Sequence, residues 1–299
     1  MQPLIIYNRK TKQKEEEKIF GAKLLFFLYH SSIISSFVRF FVTHFAFVSF
    51  LYGKLQKSKK TKKKIWPFIK EYGINPEEFE KSVEDYESFS DFFIRRLKKE
   101  KRPIEMDDNI VIIPSDARYT VFQDLSMVDD FYIKGQRFDI KRFLQDDELA
   151  KKFERGSMAI ARLCPADYHR FHFPLDGFAE KSYLIDGGYF SVNPFALKKV
   201  PHLFSQNKRA YALLKTKKFK TVLIAEVGAT CVGSIHQTYE PDSFVKKGDE
   251  KGFFDFGAST VVLLFESGVI QFEKDLLEYS AKGIEVKANM GQILGRLQS

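Results

Sequence analysis

From Pro103 to the end of the chain, short β-rich runs alternate with turn residues, and this texture restricts the fold more than any other feature of the sequence. Ile110 to Ile113, Tyr183 to Ile185, Thr221 to Val227 and Thr260 to Phe265 are apolar and rich in branched side chains. Asp186-Gly187-Gly188 and Lys247-Gly248-Asp249 stand between such runs. Branched residues suit a pleated surface, while glycine and aspartate supply chain reversals. The pattern predicts a mainly β domain with few helices, one of them around Ile140 to Phe153. No internal repeat is evident. With 299 residues and 44% apolar content, the chain can bury one large core and carry a small appendage.

The amino-terminal part reads differently. Many of the 32 phenylalanines fall in the first 50 residues. Between Lys23 and Arg39 lie 15 uncharged residues, and between Arg39 and Lys54 lie 14. Neither run reaches the roughly 20 apolar residues that a helix needs to cross a bilayer. His30, Ser31, Ser32, Arg39 and His44 interrupt them at costly places. The segment is expected to form a pair of interfacial helices in the headgroup layer. Lys54, Lys57, Lys59, Lys60, Lys62, Lys63 and Lys64 follow at once, seven cations in eleven residues. Beside an apolar stretch such a run attracts an anionic membrane surface. The net charge of +9 also suits nucleic acid, but no nucleic-acid motif accompanies the run. A solvated basic linker after packed core helices is the structural alternative. Cys164 and Cys231 lie 67 residues apart without a CxxC pair, and no cleavable signal peptide opens the chain, so the expected compartment is reducing and cytoplasmic.

From Ile65 to Leu97 the spacing of apolar residues, with Pro67 near a start, predicts helix. The run Ser88-Phe89-Ser90-Asp91-Phe92-Phe93, followed by Arg95, Arg96, Arg102 and Pro103, reads as a packing element that hands the chain into the β domain.

Four islands in the β domain can carry chemistry. Pro114-Ser115-Asp116-Ala117 places an acid after an apolar strand; alone it is a turn aspartate. Asp167-Tyr168-His169-Arg170-Phe171-His172-Phe173-Pro174 holds two histidines three apart beside an acid and a base, able to act as general acid and base near neutral pH. The same residues are compatible with packed structural histidines, or with a metal site using Cys164. Glu226-Val227-Gly228-Ala229 and Val232-Gly233-Ser234-Ile235-His236 allow close backbone approach or simply tight strand packing. Finally, Val245 to Phe254 leads into Phe256-Gly257-Ala258-Ser259-Thr260, where small residues bracket a serine at the entry of an apolar strand. That is either a plain strand start or a turn that presents a nucleophile.

Taken together these islands resemble the phosphatidylserine decarboxylase family, bacterial type. The resemblance runs from the Ser88–Phe93 segment through the Asp116 turn, the DYHRFHFP segment and Asn207-Lys208-Arg209 to the KKGDEKGFFDFGAST run. It implies a proenzyme that breaks the Ala258–Ser259 bond and converts Ser259 into a pyruvoyl group, the covalent cofactor. It implies Asp116, His172 and Ser259 as the self-cleavage triad, and His169 as the proton-transfer group in decarboxylation. Phosphatidylserine would form a Schiff base with the pyruvoyl carbonyl and lose CO2 to give phosphatidylethanolamine. The implied partners are that lipid, an anionic membrane surface on the cytoplasmic side, the large and small chains of one precursor, and a possible second copy in a homo-oligomer. No metal ligand set and no nucleic acid are expected.

The expected architecture is α+β, with residues 1–64 as a membrane-associating helical region and 65–299 as the catalytic domain. Two positions depart from the family pattern, since Ala117 and Ala258 stand where glycine is usual. A non-processing, lipid-binding relative is the alternative that Ala258 suggests. A carrier-type hairpin at KKGD is disfavoured by the lack of a Met-Lys-Met attachment site.

Overall fold

The structure is a computed structural model and describes residues 3–298 apart from 20, 22–26, 28, 30–31, 33, 39–52, 128–131, 134–135, 193–195, 197–201, 230–234 and 256–258. His30, Arg39, His44, Cys231, Ala258 and nearly all of the second uncharged run therefore lie outside the described residues.

The architecture is α+β and mainly β, as expected. An eleven-stranded sheet runs in the order Ser243–Val245, Gly177–Ala179, Arg209–Lys215, Thr221–Val227, Ser259–Phe265, Ser157–Leu163, Ala117–Phe122, Glu285–Ala288, Ile5–Asn8 and Gln13–Glu16, with Tyr183–Ile185 pairing beside Arg209–Lys215. Its three central strands, Thr221–Val227, Ser259–Phe265 and Ser157–Leu163, are buried at every residue. Burial on both faces explains why they read as nearly continuous apolar runs rather than alternating ones. A second sheet pairs Ile235–Gln237, Glu250–Phe254 and Arg170–His172; a third pairs Ile270–Phe272, Ile293–Leu297 and Ile110–Ile112.

The first residues differ from expectation. Residues 5–16, assigned from sequence to the helical region, form two strands of the main sheet. Ile5–Asn8 pairs in parallel with Glu285–Ala288 and antiparallel with Gln13–Glu16. The pairing joins the two ends of the chain, so no local pattern could announce it. Glu17, just beyond, is buried between Arg118 and Arg162.

The predicted helix from Ile65 to Leu97 is also broken up. A helix at Ile65–Tyr72 ends at Gly73, whose φ of 62° is the left-handed cap that glycine favours. Two single turns follow at Pro76–Glu78 and Val83–Asp85, capped by Asn75 and Ser82, and a short helix at Phe89–Phe93 is capped by Ser88. Each cap accepts a hydrogen bond from a free backbone N–H and starts a new turn, so the apolar spacing is carried by several short pieces. These pieces share a small core of Ile65, Phe68, Phe79, Tyr86 and Phe92. The lysine run is docked to it, since Thr61 Oγ1 accepts from the Phe89 N–H at 3.0 Å. The helix expected around Ile140 to Phe153 is two helices, Ile140–Leu144 and Asp147–Phe153, divided where Gln145 turns left-handed.

Among the described residues no helix is long and apolar enough to cross a membrane. Residues 34–38 are helical, and Ile34, Phe37, Leu55 and Trp66 are exposed.

Candidate active site

The two histidines are set by strand pairing. Arg170–His172 runs antiparallel to Glu250–Phe254, with Glu250 opposite His172 and a bulge between Glu250 and Gly252. The Phe254 N–H donates to the His169 carbonyl at 3.0 Å. The histidine segment and the run that leads to Ser259 are thus neighbours, although about 80 residues separate them in sequence.

His172 is nearly buried, and its Nδ1 lies 2.9 Å from the Gly248 carbonyl. A carbonyl can only accept, so Nδ1 carries the proton and the lone pair is on Nε2. Nε2 faces the Tyr168 hydroxyl at 3.3 Å, with the two rings stacked at 5.7 Å. Gly248 reaches this position with φ of 87°, and a side chain there would meet Ile104 Cδ1 at 2.3 Å. Burial holds the His172 imidazole below its ordinary value of 6.5, against the Gly248 hydrogen bond and the charges of Glu250 and Asp116, which favour its protonated form. The result is a neutral imidazole with its basic nitrogen defined.

Asp116 sits on the turn between Ile110–Ile112 and Ala117–Phe122. Its carboxylate is gripped by Arg102, with Nε 2.9 Å from Oδ1 and Nη2 2.5 Å from Oδ2. Oδ1 also accepts the Met290 N–H at 2.8 Å. Asp116 therefore acts on His172 by charge and not by a hydrogen bond. The His172 N–H donates to the Pro114 carbonyl at 2.8 Å, which fixes the Asp116 turn beside the imidazole.

Ser259 opens the strand Ser259–Phe265, fully buried, opposite Leu163. Its Oγ has no hydrogen-bond partner among the described residues. It is bonded to neither imidazole. Extending the strand register by one step places Gly228, which has no side chain, on its other side. His169 is fully buried, its Nδ1 3.1 Å from the Asp167 carbonyl and its ring 4.0 Å from that of Phe93. A cleft of about 620 Å³ is lined by His172, Tyr168, Gly248, Glu250, Arg96 and Arg102, among others. Neither Ser259 nor His169 lines it.

A family model described as phosphatidylserine decarboxylase matches residues 89–296, a span that holds Asp116, His169, His172 and Ser259. The chain belongs to the phosphatidylserine decarboxylase family. It is 44% identical over 290 residues to the phosphatidylserine decarboxylase proenzyme of Clostridium beijerinckii, covering 97% of this chain and 98% of that one. It is 46% identical over 291 residues to the proenzyme of the same name from Chlamydia pneumoniae, covering 97% and 96%. The Clostridium novyi proenzyme matches at 44% over 290 residues.

Several groups around this decarboxylase-family site escaped the sequence reading. Glu226 and Lys251 form an ion pair at 2.7 Å with both side chains fully buried. Gln237 completes it, donating to Glu226 at 2.8 Å and accepting from Lys251 at 2.9 Å. Burial pushes the Glu226 carboxyl up and the Lys251 ammonium down, each opposed by its partner. Glu226 lies opposite Val261, and Val261 faces the same side as Ser259, so the pair lies close along that face. The signal was present as charged residues inside the β runs TVLIAEV and EKGFF. Arg102 and Arg95 were read only as part of a packing element, yet both reach site residues. Cys164, weighed as a metal ligand, instead donates to Glu17 and accepts from Arg162, each at 3.0 Å.

Proposed function

We propose that the chain is a carboxy-lyase made as a proenzyme, which cuts its own Ala258–Ser259 bond and then converts phosphatidylserine to phosphatidylethanolamine and CO2. The observation that carries this reading is Ser259 itself, buried at the mouth of a central strand with an uncommitted hydroxyl. The relatives, all called proenzymes of this decarboxylase, support catalysis over the non-processing alternative.

In self-cleavage, Ser259 Oγ attacks the carbonyl carbon of residue 258, forming an ester and freeing the nitrogen of residue 259. Loss of the α-proton of residue 259 then expels the 1–258 chain as a carboxylate. The dehydroalanine left behind takes up water, releases ammonia and becomes a pyruvoyl group. His172 is assigned the hydroxyl proton, because its Nδ1–H is held by Gly248 and burial keeps it neutral. Asp116, held by Arg102, adds a negative charge that favours the imidazolium as it forms. The pyruvoyl carbonyl supplies the electron sink for decarboxylation. His169 is assigned to return a proton to the carbon that loses CO2.

The exposed Leu55, Trp66 and lysine run support docking on an anionic membrane surface, which we assign to the cytoplasmic face. The test is a denaturing gel with mass spectrometry, together with an assay on phosphatidylserine vesicles. The wild type is expected as chains 1–258 and 259–299 that form phosphatidylethanolamine. Ser259→Ala is expected to stay whole and inactive. His172→Ala should block cutting, whereas His169→Ala should be cut but turn over slowly. Phosphatidylethanolamine formed by Ser259→Ala would sink the mechanism.

A further inference from the structure

Arg95 follows the Phe89–Phe93 helix by two residues, and only 4% of its surface is exposed. One nitrogen, Nη2, donates to two successive carbonyls, Ala166 O and Asp167 O, both at 2.9 Å. The second of these is the oxygen that His169 Nδ1 meets at 3.1 Å. The clamp is reciprocal: Arg170 directs Nε and Nη2 to the Ile94 carbonyl at 3.0 and 2.8 Å. Two arginines thus close the loop 166–170 against residues 94–95, with His169 between their anchor points. Phe93, on the same short stretch, lays its ring against the His169 imidazole.

The rest of the Arg95 guanidinium makes no comparable bond. Nε and Nη1 have no hydrogen-bond partner among the described residues, and the group lies over the rings of Phe92 and Phe79 at 4.9 and 5.4 Å. Burial pushes its pKa down to about 10, so the charge is kept at neutral pH but at a cost. A buried cation with most of its donors unused is an expensive way to tie down two carbonyls, and apolar packing would fill the space at less cost. What it does that packing cannot is to fix the direction of the Asp167 carbonyl.

We infer that Arg95 is a positioning residue for decarboxylation, holding the Asp167 carbonyl so that it keeps the Nδ1–H of His169 in both charge states: Nε2 takes up a proton from solvent, and the imidazolium returns that proton to the carbon that loses CO2, falling back to the Nδ1–H form. The inference rests on the role given to His169 above. A planar guanidinium can serve two carbonyls from one edge, which the point charge of lysine does less well. Loss of the clamp leaves the imidazole free to take the other tautomer, so the fault should appear in turnover and not in lipid binding.

The test compares wild type, Arg95→Met and Arg95→Lys by three measurements: the gel for processing, steady-state kinetics on phosphatidylserine vesicles, and nitrogen NMR of labelled histidine, with the His169 signal assigned by its loss in His169→Ala. Arg95→Met is expected to yield two chains and an unchanged KM. Since a positioned proton donor contributes roughly 100-fold or more, misalignment should lower its kcat on the order of tenfold. Its His169 signal should acquire the Nε2–H form. Arg95→Lys should recover part of both. If Arg95→Met does not fold, the lysine variant alone must show the intermediate kcat and mixed tautomer. A variant with wild-type kcat and an unmixed Nδ1–H signal overturns the inference. The tautomer needs no turnover to be read, so it tests Arg95 even where the vesicle assay shows that the proposed reaction is wrong.

Discussion

The Gly248 carbonyl accepts the Nδ1 proton of His172 at 2.9 Å, and this contact, not a carboxylate, defines which nitrogen of the imidazole is basic. Asp116 contributes charge from a distance while its oxygens stay with Arg102 and Met290. The two groups assigned to self-cleavage are therefore held by the β-turn of the KKGD run on one side and by an arginine from the preceding helical segment on the other.

The first prediction concerns pH. Burial sets the folded-state pKa of His172 below 6.5, so the unfolded chain takes up its proton first as the pH drops. His172 thus contributes stability that is complete above 6.5 and is lost as the pH falls below it. Urea unfolding of the Ser259→Ala precursor should show that loss, and adding His172→Gln should reduce it. The cleavage rate of the wild-type precursor should likewise stay level through pH 6.5 and decline only lower. A decline that begins above that pH would mean that His172 is not the base.

Gly248→Ala tests the turn. The new β-carbon meets Ile104 Cδ1 at 2.3 Å in a backbone with φ of 87°, whereas Gly268, with φ of 71°, has open space around it. Backbone strain of this kind costs about 1 to 3 kcal/mol. Gly248→Ala is expected to lower the melting temperature and to slow cleavage by displacing the carbonyl from His172. Gly268→Ala should lower the melting temperature through strain alone and leave cleavage unchanged. Equal cleavage rates in the two variants would remove Gly248 from the mechanism.

The buried Glu226–Lys251 pair predicts a non-additive pattern. Removing one partner leaves the other charge in an apolar interior, at a cost of about 3 to 5 kcal/mol. Lys251→Met alone should therefore destabilise the Ser259→Ala precursor strongly in urea. The double variant Lys251→Met with Glu226→Gln should recover much of that loss, because no charge is left uncompensated. Additive losses would show that the two side chains do not depend on each other.

The parts of this fold that were legible in the sequence are those whose causes are local. Thr221–Val227 and Ser259–Phe265 announce themselves because burial on both faces favours nearly continuous apolar runs. The turn at Gly248 is visible because lysine, glycine and aspartate together have few other uses. The roles given to Ser259 and the two histidines rest on family resemblance, since a serine between small residues and a pair of imidazoles have bland readings too. What stayed hidden depends on partners far apart in the chain. Ile5–Asn8 pairs with a strand some 280 residues away. Arg102 and Arg95 looked like ordinary charges after a phenylalanine-rich segment, and their targets, Asp116 and Asp167, are found only once the helical pieces fold onto the β domain. The continuous helix inferred over 65–97 failed because apolar spacing survives interruption, while the caps at Gly73, Asn75, Ser82 and Ser88 decide where each turn ends.

The last prediction concerns Ala258, which stands where the family usually has glycine. For Ser259 Oγ to reach the carbonyl carbon of the residue before it, the backbone at 258 must adopt an unusual turn. A β-carbon narrows the angles open to it, whereas glycine reaches both signs of φ with similar ease. Strain at such positions is about 1 to 3 kcal/mol. If it falls wholly on the barrier, the rate changes by roughly 5- to 150-fold. Ala258→Gly is accordingly expected to speed self-cleavage, read by pulse-chase on newly made precursor. It should leave kcat of the processed enzyme unchanged, because the pyruvoyl group proposed for decarboxylation is made from residue 259 alone. Cleavage of Ala258→Gly at an equal or lower rate would mean that alanine fits the turn already and that the extra freedom of glycine only disperses it.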